Sequence, residues 1–343
     1  MNAQKIKILQ VIDTLNIGGG ERVFVDMCNI LKENKEDFEV FYLLESGKLH
    51  KELDTEIIFY ELKRKGKWNF SKMHQASLLL KKYDIIHCHF RHVYRYIALV
   101  CFIFRIKSKI ILHDHYGSID VNKKIPFLFN TFLKPKLYIG VSKSLSDWAI
   151  NCLKVNNKNV FTLQNIILRS DIIEKLEDQT DLVLVSNIKP VKNNEFAIDI
   201  IKKSNFSLSI IGKNQDQEYF NKLVTKQSDL SIEIIQNIEN VQPILSNFKL
   251  GLHTSFSESG PLVLIEYLAQ GLPFLAHETG EVAKTLKPYF PEYFIDNFVV
   301  EEWIDRIVKL INTPKNTTLM NTVFEKHFGK TDYYNRLKNI YYV

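Results

Sequence analysis

The chain has 343 residues, with 45 Lys plus Arg against 39 Asp plus Glu and a net charge of +6. The length suits two domains, and an apolar fraction of 45% excludes disordered and fibrous classes. Cys28, Cys88, Cys101 and Cys152 stand far apart, which argues against a disulfide framework or a cysteine zinc site and for a reducing compartment.

In chain order, Ile8–Ile12 reads as a buried strand, and nothing before it has the pattern of a secretory signal. A helix follows over 21–31, with Val23, Met27, Ile30 and Leu31 at helical spacing. Strands are expected over 40–44 and 57–62, a helix over 73–82, a strand over 83–89 and a buried helix over 94–104. Strands over 109–112 and 137–141 close the series. The longest apolar run, 97–104, is far short of the roughly 20 residues of a membrane span. The expected location is cytoplasmic, with peripheral attachment to the inner face of the membrane left open.

Residues 166–180 are charged and lack a strand pattern, so the linker is placed there, over 169–180. A second alternating series has strands over 182–186, 206–211, 232–235, 250–253 and 273–276. Its helices are expected over 195–203, 216–225, 261–269 and 301–311, with a last helix over 333–342. Such alternation indicates an α/β protein of two Rossmann-like, doubly wound domains facing a central cleft, with ligands at the carboxyl ends of the strands. Charge divides along the same line: residues 1–170 carry a net +11 and residues 171–343 a net −5. The basic half suits an anionic lipid surface, a phosphorylated acceptor or nucleic acid, and equally a solvated Lys-rich surface.

The first post-strand loop holds Gly18, Gly19 and Gly20 ahead of a helix, where backbone can approach an anion closely. The spacing Gly-x-Gly-x-x-Gly is absent and no acidic residue ends the second strand, so this is not a dinucleotide fingerprint; a plain tight turn remains an alternative. The most informative segment is 257–266. Glu258 lies in a loop after a strand, Ser259 or Gly260 is placed to cap, Pro261 suits the first turn, and Glu266 falls about two turns in. A helix N-terminus flanked by two carboxylates fits a phosphate with sugars on either side. A capped surface helix with two unrelated glutamates fits equally well.

His87 and His89 alternate onto one face of a strand, as do His113 and His115, with His92 near. Zinc is one reading, but no acidic or cysteine ligand completes a recognisable spacing, so no metal is expected. Asp-x-Asp is also absent from the chain. Residues 94–109 and 123–136 interleave aromatic and basic side chains, including Arg95, Arg105, Lys107, Phe127, Phe129 and Phe132. They suit a membrane-facing surface, although 94–104 reads more simply as a core helix with a basic rim. No nucleic-acid recognition motif supports the alternative of single-strand binding.

Glu258 and Glu266 form Glu-x7-Glu, and the stretch 258–273 resembles the donor-site signature of retaining GT-B glycosyltransferases of family 4. Residues 18–22 resemble that family's glycine loop, 84–89 its Asp-Ile-Val-His-x-His strand, 140–144 its Val-Ser turn, and 164–166 its Pro-Asn-Gly-like segment. The matches run in family order over nearly the whole chain. The resemblance implies that Glu258 binds hydroxyls of the donor sugar, Glu266 binds the ribose, and backbone amides near Gly260 to Val263 hold the diphosphate, with Ser259, Gly260, Pro261 and Leu262 lining the donor site. Gly19 and Gly20 would also line the donor site. Lys192 would neutralise the leaving diphosphate, and Asn187 stands where the family usually has arginine, with Lys189 as a candidate substitute. His115, with His113 second, would sit near the reacting carbon.

The implied organisation is an acceptor-binding domain over 1–168, the linker 169–180, a nucleotide-sugar domain over 181–328, and a helix over 329–343 returning to the first domain. The implied activity is metal-independent, cofactor-free transfer of a hexose with retention. It runs from a nucleotide diphosphate sugar, a UDP-sugar first, to a glycan or lipid-linked acceptor in surface polysaccharide synthesis. A UDP-sugar epimerase of the same fold, a non-catalytic nucleotide-sugar-binding protein and a nicotinamide oxidoreductase are the alternatives.

Overall fold

The structure is a computed structural model that describes residues 6–66, 69–117, 119, 122–176, 180–236 and 238–343. These fall into two compact units. The first ends at Ile166 and takes back Lys330–Val343; the second is Ile167–Gly329.

The first unit runs β1 (Ile8–Ile12), α1 (Gly19–Glu33), β2 (Phe38–Tyr42), β3 (Phe59–Glu61), α2 (Phe70–Leu80), β4 (Ile85–His89), α3 (Arg91–Ile103), β5 (Lys109–Asp114), β6 (Leu137–Gly140), α4 (Lys143–Asn151) and β7 (Val160–Thr162). Its strands form one parallel sheet in the order β3-β2-β1-β4-β5-β6-β7. All five residues of β1 are buried, as a strand covered on both faces requires. Helix α1 presses Val23, Phe24, Met27, Ile30 and Leu31 into the core, each worth about 1.5–3 kcal/mol of apolar burial. Ser142 caps α4, its Oγ accepting the Leu145 N–H at 3.3 Å.

The second unit runs β8 (Leu182–Val185), α5 (Asn194–Lys202), β9 (Leu208–Ile211), α6 (Gln217–Lys226), β10 (Ile232–Ile235), β11 (Leu250–His253), α7 (Leu262–Ala269), β12 (Phe274–His277), α8 (Gly280–Leu286), β13 (Phe294–Ile295), α9 (Val300–Asn312) and α10 (Thr317–Phe328). The sheet is again parallel, ordered β10-β9-β8-β11-β12-β13. The last helix, α11 (Lys330–Tyr341), belongs to the first unit. There Tyr341 Oη accepts from Gln10 Nε2 at 2.8 Å and lies 2.9 Å from His87 Nδ1.

Several expectations shift. Residues 169–176, expected as linker, are bound to the second unit: the Ser170 N–H donates to Gln242 Oε1 at 3.0 Å and the Glu174 N–H to the Pro243 carbonyl at 2.8 Å. The remainder of the expected linker includes 177–179, outside the described residues. Helix α3 begins at Arg91 rather than 94, and α11 at Lys330 rather than 333. Phe129, expected at a membrane-facing surface, is fully buried beside Tyr94, whereas Phe127 and Phe132 are exposed.

Candidate donor site

In each sheet the strand order reverses once, between β1 and β4 and between β8 and β11. Loops leaving the carboxyl ends of strands at such a reversal form the ligand crevice of a doubly wound sheet. In the second unit those loops are 186–193 and 254–261. They are stitched together by the Phe256 N–H donating to the Val191 carbonyl at 2.9 Å and by Thr254 Oγ1 donating to the Lys192 carbonyl at 3.1 Å.

Across this stitch the Lys192 ammonium pairs with the Glu258 carboxylate. Ser255 Oγ donates to Glu258 Oε1 at 3.2 Å, and His253 Nε2 stands 3.7 Å away. Burial pushes the Glu258 carboxyl upward, but the Lys192 charge and the His253 contact outweigh it and hold the group at about 2. Lys189, half-buried in the same loop, is lowered from its ordinary value by burial first and then by the Lys192 charge. The loop thus carries two cations beside one fixed carboxylate. Asn187 is half-buried just after β8.

Helix α7 begins at Leu262 with Pro261 at the N-cap and no capping side chain. The expected caps, Ser259 and Gly260, do not serve, because the N-cap position falls on Pro261, which has no capping oxygen; the Ser259 carbonyl accepts the Glu281 N–H at 2.8 Å. The first N–H groups of α7 are therefore not taken by a side-chain cap, which suits an anion. Glu266 lies half-buried on this helix, and Leu262 is half-buried at its start.

The neighbouring loop, 278–281, was not singled out in the sequence. Thr279 Oγ1 accepts the Glu258 N–H at 3.1 Å. Gly280 has φ +82°, and a Cβ there would meet Pro261 Cδ at 2.8 Å and the Glu258 carbonyl at 3.1 Å. Only glycine fits both the backbone conformation and the space. The signal available was position: this loop follows β12, the next strand edge along.

Gly19, Gly20 and His115 lie in the first unit, with the remaining expected site residues in the second. A Cβ on Gly20 would strike the Phe90 ring at 2.6 Å and approach His115 Cβ at 3.5 Å, so the glycine loop sits directly on His115. His115 follows β5 half-buried, its Nε2 3.1 Å from His89 Nδ1, and burial pushes its imidazole down to about 3. His113, the second choice, lies fully buried within β5. Between them, buried Asp114 accepts from Arg91 Nε at 2.7 Å, Tyr138 Oη at 2.6 Å and the Tyr116 N–H at 3.1 Å. Arg91 stacks on Tyr116 and Trp148. Sequence reading missed this anchor because its members are spread over four elements.

Two family models match the chain in tandem: Glycosyltransferase Family 4 over residues 17–167 and Glycosyl transferases group 1 over residues 168–322. The chain belongs to the GT-B glycosyltransferases. This glycosyltransferase is 22% identical, over 87% of its length and 88% of the relative's, to an uncharacterized glycosyltransferase of Haemophilus influenzae. In fold it is similar to HepE of Anabaena in complex with UDP and glucose (TM-score 0.80, 14% identity, 97% and 98% of the two chains covered). It is also similar to a TarM mutant of S. aureus in complex with fondaparinux, alpha-GlcNAc-glycerol and UDP (TM-score 0.74, 13% identity, 98% and 99% covered). Among the described residues no helix of the glycosyltransferase is long and apolar enough to cross a membrane.

Proposed function

We propose that this glycosyltransferase moves a sugar from a UDP-sugar to a glycan or lipid-linked acceptor of surface polysaccharide, with retention and without a metal at the diphosphate. The observation that carries this reading is the Lys192–Glu258 pair at the strand-order reversal, beside an α7 N-terminus without a side-chain cap. UDP in the HepE and TarM complexes supports the choice of nucleotide.

The chemistry follows from charge. As the bond to the anomeric carbon breaks, negative charge grows on the leaving diphosphate. Lys192, seconded by Lys189, and the first N–H groups of α7 are fixed positive groups aimed at that charge, so they favour the transition state over the bound donor. The diphosphate takes over the ammonium from Glu258. The carboxylate, already ionised, is then free to accept hydroxyls of the sugar, and Glu266 accepts those of the ribose. His115 is proposed to hydrogen-bond the sugar as a neutral imidazole, consistent with its lowered pKa. Gly19 and Gly20 are proposed to line the donor site, with Gly20 leaving room for the Phe90 ring beside His115.

The acceptor reading rests on the first unit's surface. Phe102 and Phe132 are exposed with ring centroids 4.3 Å apart, Phe127 is 76% exposed, and Arg105, Lys107, Lys123, Lys124 and Lys136 are exposed in the same segments. Apolar rings with basic neighbours suit the surface of an anionic bilayer that carries a lipid-linked acceptor.

The test is a transfer assay with a panel of UDP-sugars and a lipid-linked acceptor, the new linkage read by NMR. An α-linked donor is expected to give an α-linked product. A β-linked product, or sugar isomerised without acceptor, would overturn the reading.

A further inference from the structure

Four histidines of the first unit crowd one face of β4 and the adjoining end of β5. His87, His89 and His113 are each fully buried. His89 is the direct register partner of His113, and His87 lies two residues back on the same face. The rings lie against one another: His87 and His89 at 4.6 Å between centroids, His89 and His113 at 5.0 Å, His87 and His113 at 5.3 Å. One ring nitrogen from each of the three falls within 4.8 Å of the others.

The hydrogen bonds divide these nitrogens into two kinds. His87 Nδ1 is paired with Tyr341 Oη and His89 Nδ1 with His115 Nε2. By contrast His87 Nε2, His89 Nε2 and both nitrogens of His113 are buried without a partner. Buried polar atoms are ordinarily satisfied, and four orphans in one cluster need an occupant. The division is the one found around metals: a ligating imidazole gives its outer N–H to a neighbour, which leaves the other nitrogen's lone pair facing the ion.

The geometry points to a buried three-imidazole site for a zinc-class divalent cation, formed by His87 Nε2, His89 Nε2 and a ring nitrogen of His113. Zinc takes imidazole nitrogens at about 2.0–2.1 Å in tetrahedral array, so the three rings draw together by rotation about their side-chain bonds on binding. Among the described residues no carboxylate or thiol joins the cluster, so the fourth position falls to water. The site is buried and belongs to the first unit; it needs no diphosphate, and its test reads bound metal rather than sugar transfer.

The test uses tag-free, full-length protein stripped with a chelator and then given Zn2+ or Co2+. One equivalent should survive desalting by elemental analysis. Co2+ should give the visible band of a four-coordinate ion, bleached by Zn2+, and Zn2+ should raise the melting temperature. The double variant His87→Gln/His113→Gln should retain no metal. Retention by that variant would place the ion elsewhere and overturn the site. Should the variant fail to fold, the wild type decides: absence of both the Co2+ band and retained zinc would mean that buried water satisfies the orphan nitrogens instead.

Discussion

Thr279 Oγ1 accepts the backbone N–H of Glu258 at 3.1 Å. That single bond ties the loop after β12 to the loop after β11, so the position of the Glu258 carboxylate depends on a residue outside the Glu-x7-Glu signature. Thr279→Val keeps the shape and removes the acceptor. It should lower donor affinity several-fold while costing only about 1 kcal/mol of stability, the worth of one hydrogen bond. Calorimetric titration with UDP and urea unfolding read the two separately; unchanged affinity would release Thr279 from this role.

Gly280 makes the same point through space. Gly280→Ala forces a Cβ at φ +82° to within 2.8 Å of Pro261 Cδ. A left-handed conformation alone costs an L-residue roughly 1–2 kcal/mol, and the contact adds to it. The variant should melt lower than wild type and bind UDP more weakly. A melting temperature equal to that of wild type would contradict the account.

Lys192→Met should weaken a pH dependence. In the wild type the Glu258 pKa falls from an ordinary 4.5 to about 2. Its contribution to stability is therefore complete above the unfolded-state value and lost as pH falls toward 2, and it amounts to at most about 3 kcal/mol. Without the ammonium, only the His253 contact still opposes burial, so the folded-state pKa rises from its low value. The carboxylate then contributes less to stability, and the variant's deficit against wild type should grow as pH rises from about 3 to about 7. Urea unfolding at both ends of that range checks it; a deficit constant with pH would mean that Glu258 is not held by Lys192.

Much of this was legible in the sequence, and the parts that were not have physical reasons. The parallel strands carry uninterrupted apolar runs, and the loop residues Lys192 and Glu258 stand just past such runs, so the strand edges announced the site. Of the elements missed, three carried little local signal. Strand β7 has three half-buried residues, β13 has two, and α8 is a seven-residue helix that opens on glycine. Helix α10 did carry a signal, an Asn316 cap and buried Met320, Val323, Phe324 and Phe328, which the reading passed over. The cap of α7 was misread because Ser259 has the chemistry of a cap, whereas the helix starts at Leu262 with Pro261 at the N-cap.

The aromatic surface gives a prediction at the membrane. Replacing Phe127 and Phe132, both exposed, by Ser should leave stability nearly unchanged, since neither fills the core. Binding to vesicles rich in anionic lipid should fall, and the remaining binding should weaken further with salt. Sedimentation with vesicles reads this directly; equal binding by wild type and the double variant would remove these rings from the surface role.

The central claim is that the Lys192–Glu258 loops of the second unit hold the nucleotide diphosphate. It is tested most directly by calorimetric titration of UDP into wild type and Lys192→Met, with and without EDTA. The account predicts binding to wild type that EDTA leaves unchanged, and a loss of roughly tenfold or more in Lys192→Met, as expected for removing a charged partner worth about 1.5–3 kcal/mol. Equal affinity in the two proteins, or binding that requires a divalent ion, would contradict it.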